Sequence, residues 1–147
     1  MSPERRPRDP ERDYSHRDVV DKLGVKPGVA VAFDESEAAL DPDLRERVLA
    51  RSGRPIADAA EPADVVLIAA HADTDARAVL AAWKARLMPD GGIWLLTPKR
   101  TQPGYVDQRL LIQAGLDVGL VDNKSISVSD TTSGMRWVIR RRDRPAL

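Results

Sequence analysis

Three apolar runs along the chain predict buried strands, and they fall at residues 29–33, 64–70 and 92–97. Runs that are apolar at nearly every position are typical of strands covered on both faces, as in a parallel sheet packed between helices. The stretch at 87–99 is the clearest, since it predicts a helix end, a Pro-Asp-Gly-Gly turn, a buried strand and a proline stop. We therefore expect this strand at the centre of the sheet.

The segments between these runs have helical spacing and helix-terminal residues. Asp41 is placed to cap a helix that has Pro42 at its first position, and Asp73 is placed to cap a later one. The predicted helices cover residues 15–24, 42–53 and 74–87, and a fourth follows the turn at 102–104 and stops at Gly115. A short edge strand is predicted at 54–57, and the three tryptophans are expected in the core.

The order of these elements predicts the fold class. Strand and helix alternate three times, and an antiparallel hairpin follows at residues 118–128 and 135–142. This pattern predicts an open, mostly parallel, twisted α/β sheet with helices on both faces and a C-terminal hairpin. We expect one domain over residues 15–142, a disordered tail at 1–14 and a short tail at 143–147.

Composition narrows the classes of chemistry. The 147 residues include no Cys and two His, which excludes disulfides, thiol nucleophiles and cysteine-ligated zinc. The 23 Lys and Arg residues balance 23 Asp and Glu residues, so net charge gives no attraction to nucleic acid or membrane. The arginines of residues 140–144 lack a nucleic-acid motif, so that partner is disfavoured. No apolar run approaches membrane-spanning length, and we expect a cytoplasmic protein.

The order of elements from the strand at 64–70 onward resembles the fold of S-adenosylmethionine-dependent methyltransferases, in a truncated form. An acidic residue opens that strand, and Leu87-x-Pro89-x-Gly91-Gly92 precedes the next. The resemblance covers about 80 residues and implies the fold. It implies S-adenosylmethionine as the cofactor only if the turn after the first strand suits it.

The chain also resembles a family of small bacterial proteins of unknown function. The likeness rests on Lys22-Leu23-Gly24-x-Lys26-Pro27-Gly28, Trp94, Pro98-Lys99, Val121-Asp122-x-Lys124, Asp130 and Ser133-Gly134. One position departs from the family pattern, because Thr132 stands where the resemblance implies an aromatic residue. The family brings no established activity to this chain.

The turn after the first strand disfavours a nucleotide-type cofactor. A methyltransferase needs glycine there, because the cofactor packs against bare backbone. This chain has Asp34-Glu35-Ser36-Glu37 and no Gly before Gly53. S-adenosylmethionine is therefore disfavoured, although Asp58 or Glu61 is placed to hold a ribose. A magnesium cluster of the three carboxylates is the alternative to a solvated acidic loop, and we expect no metal.

Four residues at the ends of the predicted strands form the candidate ligand site. Asp34, His71, Thr97 and Lys99 each follow a strand, and ligands of open α/β sheets bind beyond the carboxyl ends of strands. His71 has acid-base chemistry and Lys99 can bind an anion. No nucleophile or catalytic motif accompanies them.

Three functions remain open on this sequence. The leading prediction is a non-catalytic ligand-binding or regulatory domain whose ligand is unknown. The first alternative is a divergent methyltransferase-like enzyme of small-molecule metabolism that uses His71 and Lys99. The second is a protein-interaction scaffold that uses the edge hairpin and forms a homodimer.

Overall fold

A computed structural model describes residues 19–145 of the chain. The predicted tail at 1–14 and the start of the predicted first helix lie outside the described residues, and residues 19–22 are helical. The strands are β1 (Val31–Asp34), β2 (Ala63–Ala69), β3 (Leu87–Pro98), β4 (Leu120–Ser127) and β5 (Thr132–Ile139), and the helices are α1 (Pro42–Ser52), α2 (Ala76–Lys84) and α3 (Gln108–Asp117). A 3₁₀ turn, Arg141–Asp143, follows β5.

The strands form one open sheet in the order β1-β2-β3-β5-β4. β1 pairs with β2 and β2 with β3 in parallel, whereas β5 pairs antiparallel with both β3 and β4. The predicted α/β fold with a C-terminal antiparallel hairpin is confirmed, and β3 is the central strand. Two of the four pairings are antiparallel, so the sheet is mixed.

Side chains of β3 alternate between the two faces of the sheet, and each face has its own core. Ile93 and Leu95 lie on the face covered by α2 and α3, together with Trp137 of β5. Trp94 and Leu96 lie on the other face, which α1 and residues 19–25 cover. Trp94 and Trp137 are fully buried and Trp83 is 9% exposed, as predicted for core residues.

The predicted turn at 89–92 is wrong, because these residues belong to β3. The strand begins at Leu87, which pairs with Ala63 of β2, and a register shift follows between Ala63 and Val65. A Cβ atom at Gly91 would lie 2.8 Å from the Asp64 carbonyl oxygen. The glycine thus lets two backbones approach closely within the sheet, and it does not turn the chain.

Two further predictions about local structure are wrong. Residues 54–57 form no strand, and one hydrogen bond, from Ala57 N to Val31 O at 2.8 Å, joins them to β1. Gly115 does not end its helix, since α3 continues to Asp117. Gly115 is buried inside α3, where a Cβ atom would lie 2.1 Å from Nε1 of Trp137. The glycine provides space for the indole.

The Gly115→Ala variant tests this contact, because helix propensity and packing predict opposite changes in the free energy of unfolding. Alanine in place of glycine inside an exposed helix stabilises by about 1 kcal/mol. Here we expect the free energy of unfolding to fall by about 1–3 kcal/mol, because the methyl group overlaps the indole. Urea unfolding measures the change.

The Trp137→Phe variant supplies the control for this test. The Trp137 Nε1 atom is buried without a hydrogen-bond partner among the described residues, so the change breaks no hydrogen bond. In the double variant Gly115→Ala should cost less, because Nε1, the nearest of the ring atoms that overlap the methyl group, is gone. Equal costs in the two backgrounds would contradict the packing account.

Candidate functional site

A cavity of about 240 Å³ lies at the carboxyl ends of β2 and β3, on the face that α1 covers. Leu40 and Leu44 form its wall on the α1 side, and Leu96 forms its wall on the sheet. The start of α1 is fixed beside it, because the Asp41 carboxylate accepts a hydrogen bond from Asp43 N at 3.2 Å. The cavity therefore belongs to the packed framework.

Thr132 is a polar residue of this cavity that the sequence analysis did not identify as a site residue. It pairs with Pro98 across the β3–β5 ladder, so its side chain lies on the same face as Leu96. Its backbone N donates to Ser129 Oγ at 3.2 Å. Its hydroxyl makes no hydrogen bond to any described residue. The signal in the sequence was the departure from an aromatic residue at this position.

Two of the three charged residues at the mouth of the cavity are paired with each other. Arg47 donates to the Asp43 carboxylate at 2.8 Å, one turn apart on α1. Such an exposed pair contributes little to stability, but it neutralises both charges beside the cavity. The lining is therefore mainly apolar, and Asp41 is its one charged residue outside an ion pair among the described residues.

Thr97 is the one predicted site residue that lines this cavity. It is 7% exposed and pairs with Ser133 of β5. Alternation along β3 places its side chain on the same face as Leu95, opposite to Leu96. Thr97 therefore borders the cavity at the end of the strand, and its side chain lies on the other face of the sheet.

Asp34 is held by contacts within the fold. Its carboxylate accepts hydrogen bonds from Ser36 Oγ at 2.6 Å, from Ser36 N at 2.9 Å and from Trp83 Nε1 at 2.8 Å. Burial raises the pKa of Asp34, but the hydrogen bonds from Ser36 and Trp83 outweigh it, so the pKa lies below its ordinary value. The charged carboxylate ties the end of β1 to α2.

The rest of the acidic turn is also tied down. Glu35 accepts from Leu40 N at 2.8 Å and forms an ion pair with Arg45 at 3.5 Å. The carbonyl oxygen of Glu37 lies 3.2 Å from His71 Nε2. The loops after β1 and β2 are thus joined across the sheet end. In the described part of the chain, no group of three or more His, Asp or Glu residues is arranged to hold a metal ion.

Both ring nitrogens of His71 are engaged with backbone groups. Nδ1 accepts from Asp73 N at 3.1 Å, so Nε2 carries the hydrogen and donates to the Glu37 carbonyl oxygen. The predicted Asp73 cap is wrong, because Asp75 caps α2 by accepting from Ala78 N at 3.1 Å. His71 lines a separate cavity of about 330 Å³ beside α2 and α3.

Lys99 faces the hairpin and not the cavity. Its Nζ atom donates to Ser127 Oγ at 2.7 Å, and its backbone N donates to Thr131 O at 2.8 Å. Lys99 and Asp34 line neither of the cavities that contain Thr97 and His71. The four predicted site residues lie at the same end of the sheet, and the structure does not bring them into one cavity.

The sequence of the chain matches one family of proteins. Residues 20–141 match a family described as "Protein of unknown function (DUF3052)". The chain belongs to this family. No curated protein sequence matches it. Within the described residues, no helix is long and apolar enough to cross a membrane.

Solved structures with a similar fold include methyltransferases. An S-adenosylmethionine-dependent methyltransferase from Aquifex aeolicus has a TM-score of 0.55 at 11% identity, covering 83% of this chain and 88% of that chain. A TehB-like enzyme from Corynebacterium glutamicum has a TM-score of 0.52 at 13% identity, with coverages of 90% and 95%. A precorrin-6y C5,15-methyltransferase from Geobacter metallireducens has a TM-score of 0.50 at 11% identity, with coverages of 84% and 87%. At these identities the likeness shows the fold alone.

The Asp34→Ala variant tests the contact between β1 and α2. Removing the carboxylate leaves the Trp83 indole N–H without its partner, and we expect a loss of about 1 kcal/mol of unfolding free energy. Guanidinium unfolding followed by tryptophan fluorescence measures it. The exposed Asp73→Ala variant is the matched control and should have a smaller effect.

The same contact predicts a pH dependence. Because folding lowers the pKa of Asp34, its carboxylate stabilises the fold above its unfolded pKa of about 3.9. That stability is lost as the pH falls through the lower folded value. The Asp34→Asn variant should therefore lose less stability than the parent protein across this acid window. An identical acid profile would contradict the assignment.

Proposed function

We propose that the protein is a non-catalytic ligand-binding domain whose ligand is a small, mostly apolar molecule with one polar group. The ligand lies in the cavity bordered by α1, the ends of β2 and β3, and the β4–β5 turn. The observation that carries the proposal is the composition of this cavity, in which ten of the sixteen lining residues are apolar. Apolar concave sites with a few polar groups are the usual form of small-molecule sites.

The size and polar groups of the cavity define the ligand further. Its volume of about 240 Å³ lies below the roughly 300–1,000 Å³ of sites for drug-sized molecules, so it suits a smaller one. Thr132 has a hydroxyl without a partner among the described residues, and it lies on the cavity face. A hydroxyl, carbonyl or carboxyl group of the ligand would pair with it.

The arrangement of His71 and Lys99 supports binding without catalysis. Both nitrogens of His71 are engaged with backbone groups, and Lys99 contacts Ser127 on β4. General acid-base catalysis needs a titrating group within hydrogen-bond reach of a bound substrate. Neither residue lines the cavity that we assign to the ligand. The cytoplasmic location stays a prediction from the sequence.

The turn after β1 supports a ligand other than S-adenosylmethionine. It contains no glycine, and the carboxylates of Asp34 and Glu35 are bound to Trp83, Ser36 and Leu40 in place of a ligand. The Glu37–His71 hydrogen bond joins the two loops between which a cofactor would approach bare backbone. These residues do not fit the cofactor, and no methyl transfer is assigned to them.

The edge of the hairpin gives less support to the scaffold alternative. β4 is the edge strand, and its register shifts between Asp122 and Lys124. Both residues are exposed, as are Asn123 and Ser125 between and beside them. Bulges and charged side chains are the features by which edge strands avoid pairing with another chain.

Variants at Thr132 test the proposed cavity. Thr132→Val keeps the shape of the side chain and removes the hydroxyl, so we expect affinity to fall by about two- to tenfold. Thr132→Tyr should fill the cavity and abolish binding, because the cavity is only about 240 Å³. Ligand-observed NMR with phenol, benzyl alcohol and isobutyrate measures binding, and the exposed Thr101→Val is the control.

The outcomes of this test are distinct. The cavity is supported as the site if three results are found together. Binding should be retained in Thr101→Val, weakened in Thr132→Val and lost in Thr132→Tyr. If none of the three probes binds the parent protein, or if Thr132→Tyr binds as well as the parent, the proposal is wrong.

A thermal-shift measurement with S-adenosylmethionine and S-adenosylhomocysteine separates binding from methyl-transfer chemistry. A ligand at 100 times its dissociation constant stabilises the native state by about 2.7 kcal/mol. We expect no such shift with either compound, because the turn after β1 does not fit them. A clear shift that disappears in a variant of residues 34–37 would show cofactor binding at this turn and would favour the methyltransferase alternative.

A further inference from the structure

A second concave site, here called the basic cleft, lies at the amino ends of the parallel strands, opposite to the apolar cavity. Its volume is about 560 Å³. Its charged residues are Lys22, Lys26, Lys124, Arg136, Asp64 and Asp90. Three of the cations, Lys26, Lys124 and Arg136, outnumber the two carboxylates by one positive charge, although the whole chain has a net charge of zero. The proposed function does not use this cleft.

The loop at residues 22–28 forms one wall of the basic cleft and is fixed to the sheet. Trp94 Nε1 donates to the Leu23 carbonyl oxygen at 3.0 Å from inside the core. Lys124 Nζ donates to the Lys22 carbonyl oxygen at 3.2 Å. Gly24 and Gly28 have φ values of 78° and 90°, which favour glycine. The wall therefore needs little reorganisation to receive a ligand.

Arg136 forms the floor of the cleft, and its charge has no partner. Its side chain lies across Gly92 of β3, where a Cβ atom would be 2.2 Å from the Arg136 Nε atom. The guanidinium makes no hydrogen bond or ion pair with any described residue. Burial lowers the pKa of Arg136, and the neighbouring Arg144 lowers it further. A partly buried cation without a carboxylate is costly unless an anion pairs with it.

The two carboxylates of the cleft do not neutralise Arg136. Asp64 Oδ2 accepts a hydrogen bond from Ala30 N at 2.8 Å, which fixes the start of β1 against β2. Asp90 is exposed. Neither forms an ion pair with Lys26, Lys124 or Arg136. The free positive charge of Arg136, Lys124 and Lys26 is therefore available to a ligand.

Part of the sequence motif that carries the family resemblance lines this cleft. Six of its residues lie in the wall at 22–28, and Lys124 of β4 is a seventh. The apolar cavity uses none of these residues. Residues about 100 positions apart in the chain thus meet at one concave, positively charged surface.

We infer that the basic cleft binds the phosphate group of a small phosphorylated molecule. Arg136 binds two phosphate oxygens through its planar fork, and Lys124 and Lys26 supply further donors to the same group. The volume of about 560 Å³ exceeds that of a phosphate ion and accommodates the remainder of a metabolite-sized ligand. The inference is independent of the apolar ligand proposed above.

Isothermal titration calorimetry on the full chain tests the inference. Inorganic phosphate, pyrophosphate and glycerol phosphate are titrated at constant ionic strength, with malonate as a carboxylate of similar charge. We expect phosphate compounds to bind and malonate to bind at least about tenfold more weakly. Tighter binding of glycerol phosphate than of inorganic phosphate would indicate an ester ligand, and the reverse would indicate the free ion.

Two variants assign binding to Arg136. Arg136→Met removes the cation with little change in volume, and we expect affinity for pyrophosphate to fall by at least about tenfold. Gly92→Ala keeps the charge but displaces the guanidinium, and it should also weaken binding. Arg100→Met makes the same change in net charge at an exposed position outside the cleft and should bind as the parent does.

Three results would overturn the inference. One is the absence of phosphate binding to the parent protein. Another is equal loss of binding in Arg136→Met and Arg100→Met, which would indicate a general charge effect. The third is tighter binding of a single-stranded oligonucleotide than of pyrophosphate, with an affinity that Arg136→Met does not change. Circular dichroism confirms that each variant is folded, and Gly92→Ala retains the test if Arg136→Met unfolds.

Discussion

The burial of β3 on both faces is the constraint on which the rest of the structure depends. Residues 93–96 are at most 5% exposed, so helices must cover the sheet on each side. Trp94 also carries a polar N–H into the core, and that group must be paired. The Leu23 carbonyl oxygen pairs with it and fixes the chain before β1. The hydrogen bond from the Trp94 indole therefore fixes the loop at residues 22–28, which precedes β1, against the central strand β3.

This packing gives the two ends of the sheet different chemistry. At the carboxyl ends, leucine and alanine side chains of residues 38–44 and of β2 and β3 line an apolar space, and Val128 of the hairpin turn lines it from the other side. At the amino ends, the loop held by Trp94 brings lysines beside Arg136 of β5. Neutral and anionic ligands would thus bind at opposite ends.

Sequence patterns predicted the fold well and the site poorly, for identifiable reasons. Apolar runs and helix caps act locally, so the strands and α1 were found. The turn predicted at 89–92 was wrong because β3 begins earlier, at Leu87, which pairs with Ala63 of β2. The local sequence does not reveal this pairing. His71 suggested acid-base chemistry, but a carbonyl 34 positions away engages its ring. The basic cleft was missed because its cations come from the loop at 22–28 and from β4 and β5, which are far apart in the sequence, although the motif at 22–28 had been noticed.

The contact between Asp34 and Trp83 explains how a methyltransferase-like fold can exist without the turn that its usual cofactor needs. A strand end at this position must satisfy its polar groups either with a ligand or within the protein. Here the carboxylate pairs with the indole of α2 and with Ser36, and the loop closes on His71. The polar groups at this end of the sheet are thus satisfied within the protein, and the fold does not depend on a cofactor to pair them.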